Sequence, residues 1–265
     1  MRYSWLVLAG ALALPAAGVH ADETSSPSSP PPPAAPSAAS RGAASSADAR
    51  VAAAWAAYVR GDHAAALKIL KPLAEAGNAD AEYDLGTMYS DGHGVPRDPR
   101  QAEAWWQKAA AQGQADAQFS LGFLLLYGGG EGPNAVNADP DAGLPWLQKA
   151  AAQGHVSADY FLGYLYWSGT IVPFDAQKAL QYTMPAANAG RADAQYQAGM
   201  ILSRQPGAQN AIEAYKWLDL AARQHYPGAE ESRDRLAANR LAPAEVQQAK
   251  AMADSWKPAA RGGKS

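Results

Sequence analysis

The residues that could do chemistry are few, and their spacing argues against most of it. Beyond position 21 the histidines are His63, His93, His155 and His225, and no two stand at the i, i+4 spacing with which a helix presents a zinc pair. Asn137, Asp139 and Asp141 alternate as the first ligands of a calcium loop do. Pro140 interrupts them, however, the glycine comes one place late at Gly143, and no glutamate follows at the right distance. Cap duty at a helix start explains Asp139 better. The chain has no G-x-S-x-G elbow, no H-E-x-x-H pair, no phosphate-cradling glycine loop and no cysteine. The expectation is therefore a protein that is not an enzyme and uses neither cofactor nor metal. Its aromatic side chains are left as the candidate binding groups.

What positions those aromatics is a repeated element. "WWQKAAAQGQADAQFSLG" at 105–122 is nearly rewritten as "WLQKAAAQGHVSADYFLG" at 146–163. Extending the comparison gives four units in register, 79–114, 115–155, 156–191 and 192–227, with Gly86, Gly122, Gly163 and Gly199 at equivalent positions. A period of this size is the mark of stacked supersecondary units. Each unit reads as two helices. In the first, Ala81, Leu85, Met88 and Tyr89 form one apolar stripe. A glycine inside a helix costs about 1 kcal/mol relative to alanine, so its fourfold recurrence calls for close approach by a neighbouring helix.

The second helix starts with Asp98-Pro99 in unit one and Asp139-Pro140 in unit two: a side-chain cap followed by a residue with no N–H to leave unpaired. Asn210 with Glu213 has the spacing of a capping box for unit four. Gly113, Gly154 and Gly190 stand where a left-handed residue ends the helix. Pro72 and Pro185 fall in mid-helix, where each predicts a bend, and Pro145 is a milder case.

In this register Tyr83, Phe119, Tyr160 and Tyr196 are equivalent and read as packing between units. Phe123 and Tyr164 align with Thr87, and Phe161 aligns with Asp84 and Ser120. With Trp167 they fall away from the Leu85 stripe on a helical wheel. If the first helices line a concave face, Phe123, Phe161, Tyr164 and Trp167 form an aromatic patch on it, and aromatic residues are the usual anchors of interfaces. The alternative is extra packing beneath the long loop of unit two.

The flanks complete the organisation. Residues 1–21 read as a cleavable export signal, with Arg2, an apolar run from Trp5 to Leu14 and the small-residue site Val19-His20-Ala21; the run is well short of the roughly 20 residues of a spanning helix. Residues 22–47 are a Pro/Ser/Ala tract with little to bury and read as a disordered linker. A solenoid is expected over 48–257, with a cap pair at 48–78 and a C-terminal cap at 228–257, and 258–265 as a frayed tail. A net charge of −3, from 22 basic and 25 acidic residues without long single-sign runs, excludes the basic stripe of a nucleic-acid binder. Without cysteine there is neither a disulfide nor a lipid-anchor site, so the expected location is periplasmic or secreted.

"LGTMYSDGHGVPRD", followed by "AEAWWQKAAAQG", resembles the Sel1-like repeat, a relative of the tetratricopeptide repeat. Unit two departs with "GGGEGPNAVNAD", unit three with "GTIVPFD", and unit four has lost most of the turn motif. The resemblance implies an all-α, right-handed solenoid of helix–turn–helix repeats. It also implies an adaptor or scaffold binding a protein or peptide in the cell envelope, as exported bacterial relatives do in polysaccharide export and signalling. Two other readings are an enzyme acting on cell-wall peptides or β-lactams, disfavoured because such relatives carry a disulfide in each repeat, and a polysaccharide-binding module with Tyr164 and Trp167 as stacking platforms.

Overall fold

The computed structural model describes residues 46–258, all within one compact unit. The expected export signal, the linker up to residue 45 and the tail from residue 259 lie outside the described residues. Among the described residues twelve α-helices follow one another. α1 (Ser46–Val59) and α2 (His63–Glu75) precede four repeats: α3 (Ala79–Asp91) with α4 (Pro99–Ala111), α5 (Ala115–Tyr127) with α6 (Pro140–Ala152), α7 (Val156–Ser168) with α8 (Ala176–Asn188), and α9 (Ala192–Ser203) with α10 (Ala208–Arg223). α11 (Ala229–Arg240) and α12 (Pro243–Ser255) close the stack. No strand occurs among the described residues, only an isolated bridge between Gly129 and Val136. α1 begins at Ser46, two residues inside the stretch expected to be linker.

The repeated glycines hold each pair together. A Cβ placed on Gly86 would lie 2.6 Å from Trp106 Cδ1, and one on Gly122 would lie 2.9 Å from Leu147 Cγ and 3.0 Å from the Gly143 carbonyl oxygen. Hydrogen in the side-chain position is what lets the second helix of each repeat lie against the first. The same slot at Gly163 and Gly199 is filled by Thr183 and Leu218. Around these contacts the apolar side chains form successive layers rather than one central core. Leu70, Leu85 and Met88 pack together, then Tyr83, Trp106 and Leu121, then Leu147, Leu162 and Leu165, and finally Trp217 with Trp256. Burial of each such side chain contributes roughly 1.5–3 kcal/mol, and each layer joins only neighbouring helices, as a solenoid requires.

The caps follow the period. Asp98, Asp139 and Asp175 accept the Gln101, Ala142 and Lys178 backbone N–H groups at 3.1, 3.0 and 2.9 Å. Asp139 therefore serves as a cap. Unit four differs from expectation: α10 is a 16-residue helix that starts at Ala208 after Gly207, so Asn210 already lies inside it and donates to the Pro206 carbonyl at 2.7 Å. Pro72 and Pro185 stand within α2 and α8, which run unbroken past them. Both rings are exposed, and the residues four before them, Lys68 and Gln181, are exposed too, so water can reach the carbonyls that lose an N–H partner.

First helices of successive repeats also touch: α9 meets both α7 and α11, and α5 meets α7 through their aromatic rings. They make one row, and the residues at equivalent register positions, 84/87/91, 120/123/127, 161/164/168 and 197/200/204, share a face of it.

Candidate partner-binding surface

At the centre of that face α5 and α7 interlock through aromatic rings. Phe123 stands at a centroid distance of 5.2 Å from Phe161 and 5.1 Å from Tyr127; Phe161 stands 5.9 Å from Tyr127 and 6.5 Å from Tyr164. Phe119 extends the cluster towards the helix starts, 6.3 Å from Phe123 and 4.8 Å from the His155 ring. All of these rings are partly buried. Burial, with Tyr164 beside it, pushes the Tyr127 hydroxyl up to about 12, so it is a neutral hydrogen-bonding group at any working pH.

Of the four residues nominated from the sequence, Phe123, Phe161 and Tyr164 come together. Trp167 does not join them. It packs on Phe174 at 5.7 Å, with the Arg204 guanidinium over its ring at 4.7 Å, which occupies the face a stacked sugar would need. Phe119 and Tyr127 belong to the cluster and were missed, although Phe119, Phe123 and Tyr127 are spaced i, i+4, i+8 and hence stand on one helix face. The long loop of unit two turns elsewhere: Asn134 Nδ2 donates to Asp98 Oδ2 at 3.1 Å, Arg100 Nε donates to the Ala135 carbonyl at 3.1 Å, and Gly130 sits against Pro99. Its anchors are on α4, not on the aromatic cluster.

The histidines do structural work. His155 caps α7: its Nδ1 accepts the Ala158 N–H at 3.1 Å, which requires the neutral tautomer with the proton on Nε2, and Nε2 points at Asp116 Oδ1 at 3.2 Å. His63 and His93 stack with their rings nearly parallel at 4.6 Å, and Tyr58 Oη lies 2.7 Å from His93 Nδ1 and 3.2 Å from Asp91 Oδ2. Stacked rings turn their nitrogens past each other rather than towards a common point. No group of metal-ligating side chains converges among the described residues.

The face changes character at its two ends. In repeat one Asp84 occupies the slot of Ser120 and Phe161, buried and near Asp80 and Asp116. In repeat four the same slot holds Gln197, buried with both amide atoms lacking a hydrogen-bond partner among the described residues.

The profile of the Sel1 repeat matches residues 79–114, 115–155, 156–190 and 192–226, more than half of the chain. This protein belongs to the Sel1 repeat family. Solved Sel1 repeat structures share its fold. A protective antigen of uropathogenic Escherichia coli strains with this fold superposes with a TM-score of 0.65 at 27% identity, over 79% of this chain and 45% of that one. A Sel1 repeat protein from Oxalobacter formigenes superposes with a TM-score of 0.58 at 23% identity, over 81% of this chain and 87% of that one. Among curated proteins, the exopolysaccharide production negative regulator of Rhizobium leguminosarum bv. viciae is 27% identical over 175 residues, 65% of this chain and 55% of the relative. Sel1 repeats generally mediate protein–protein interaction, and their solenoid is typically a non-catalytic scaffold. No helix among the described residues is long and apolar enough to cross a membrane.

Proposed function

We propose that this Sel1 repeat protein is an interaction scaffold of the cell envelope, and that it holds a protein or peptide segment along the row of first helices, centred on Phe123, Phe161 and Tyr164. The observation that carries the reading is the aromatic cluster itself. Rings from two repeats pack against one another, tilted or edge to face, into one continuous cluster that is only partly buried, the arrangement of an interface anchor. The envelope location rests on the signal-like residues 1–21. The Rhizobium relative, a regulator of exopolysaccharide production, suggests that the segment belongs to a component of an export or regulatory assembly.

The test is crosslinking in the envelope fraction with the wild-type protein and with a Phe123→Ala/Tyr164→Ala variant whose melting confirms folding. A defined partner, captured by the wild type and reduced at least tenfold in the variant, is the expected result, since truncating two central aromatic anchors costs about 2 kcal/mol or more. Equal capture by both proteins removes the cluster from the interface.

A further inference from the structure

The face beside the aromatic cluster holds a group the fold does not explain. Asp84 is only 7% exposed, yet among the described residues its carboxylate takes part in no hydrogen bond or ion pair. Its nearest charges, Asp80 and Asp116, are both negative. A buried charge without a partner is costly. The repeat does not need it, because the equivalent slots are filled by Ser120, Phe161 and Gln197.

The surroundings give the carboxylate a use. Trp55 and Tyr58 of α1 stack at 5.4 Å and, with Leu70, Thr87 and Met88, form with Asp84 the walls of a narrow cavity. Its volume of about 10 Å³ is the space of one water-sized group. Two ring systems and one carboxylate make a site for a cation, through the ring quadrupoles and a direct ion pair. The size admits a primary ammonium group and refuses the planar guanidinium of arginine.

We infer that the Trp55–Tyr58–Asp84 cavity receives the ammonium group of a lysine from the partner segment, whose apolar side chains lie on Phe123, Phe161 and Tyr164. The inference rests on the interaction-scaffold reading and adds the partner's chemistry: a lysine placed one repeat away from an apolar or aromatic anchor. A lysine fits better than a free amine because the cavity holds only the head group, which leaves the aliphatic stem to run out over the neighbouring rings. Charge complementarity supports it, since the carboxylates of Asp80 and Asp116 stand near Asp84 and no basic side chain answers it. Burial, with Asp80 and Asp116 nearby, raises the Asp84 carboxyl to about 7, so an entering ammonium also drives its ionisation. The titratable groups that face it are Asp80, Asp116 and the hydroxyls of Tyr58 and Tyr83, with Asp91 and His93 behind Tyr58.

The experiment is an NMR titration of the full chain, following the Trp55 indole N–H and the Asp84 side-chain carboxyl carbon. The probes are N-acetyl-lysine amide, N-acetyl-arginine amide and the uncharged N-acetyl-norleucine amide. The expected result is a saturable shift of both signals with the lysine probe alone, abolished in Asp84→Asn and about tenfold or more weaker at pH 5.5 than at pH 8, where the carboxylate is ionised. A Trp55→Leu variant, an independent wall of the cavity, should weaken it as well. No saturation, an equal response in Asp84→Asn, or an equal response to norleucine or arginine overturns the inference. The probes are too short to reach the aromatic cluster, so Phe123→Ala/Tyr164→Ala leaves this titration unchanged. Failure of the lysine site and failure of the scaffold reading are thus read separately.

Discussion

Repeats two and four solve one packing problem with an amide where repeats one and three use a carboxylate. The fourth residue of each first helix is buried: Glu82, Gln118, Asp159 and Gln195. Gln118 donates to the Ala110 carbonyl of the preceding repeat at 3.1 Å and accepts from Gln153 at 2.8 Å. Gln195 does the same with the Ala187 carbonyl at 3.3 Å and Gln224 at 2.7 Å. One amide, donor on one end and acceptor on the other, therefore clasps the second helices on both sides of it. Glu82 accepts from Gln112 at 2.6 Å but as a carboxylate has nothing to donate. At Asp159 even the capping glutamine is gone, replaced by Ala189, and no hydrogen bond reaches the carboxylate among the described residues. The stack thus alternates between clasped and unclasped junctions.

The largest way to break the contrast is Gln195→Leu. It removes both bonds of the clasp, while the Ala187 carbonyl keeps the Gly190 N–H at 3.0 Å and the exposed Gln224 amide turns to water, so the cost is that of two lost hydrogen bonds, about 2 kcal/mol. Chemical denaturation should show the unfolding free energy falling by that amount. A change below about 0.5 kcal/mol would mean the clasp contributes only to register.

The unclasped junction should respond in the opposite sense. Burial raises the Asp159 carboxyl to about 6. Because the folded value lies above the ordinary carboxylate range, the neutral form is the one the fold favours. The contribution of Asp159 is fully present below about pH 4, and it is lost as the pH rises through 6. Asp159→Asn removes that dependence and is expected to stabilise the protein by about 2 kcal/mol at pH 8 and by almost nothing at pH 4. Equal melting of variant and wild type at pH 8 would show that the carboxylate finds water.

How much of this was legible depended on whether a residue acted inside its own repeat. The glycine slots, the aspartate caps and the helix ends at Gly113, Gly154 and Gly190 were readable because each recurs at a fixed period and acts on its own or the adjacent helix. Asn210 was misread because α10 starts a turn early, which turns a capping-box pair into two interior residues. The aromatic cluster was half legible: Phe123, Phe161 and Tyr164 stood out against the register, whereas Trp167 was turned aside by Phe174 and Arg204. The Trp55–Tyr58–Asp84 cavity was not legible at all. Two of its walls come from α1, outside the repeat register, and no local pattern links a tryptophan to an aspartate 29 residues later.

The smallest test concerns the backbone at the fourth clasp. Where the first three repeats end their second helix with Gly113, Gly154 and Gly190, the fourth has His225, and it adopts the same left-handed conformation with φ 59°. It is the one non-glycine residue in that region among the described residues. A Cβ costs about 1 kcal/mol there, but glycine also loses more entropy on folding, so the net gain of His225→Gly is below that, about 0.5 kcal/mol. The side chain is exposed, so no packing is lost. The gain should appear as a small rise in melting temperature with the Gln224–Gln195 bond intact. A loss of stability would mean that His225 contributes more through its imidazole than its backbone costs, and the fourth junction would then differ from the second in chemistry as well as in sequence.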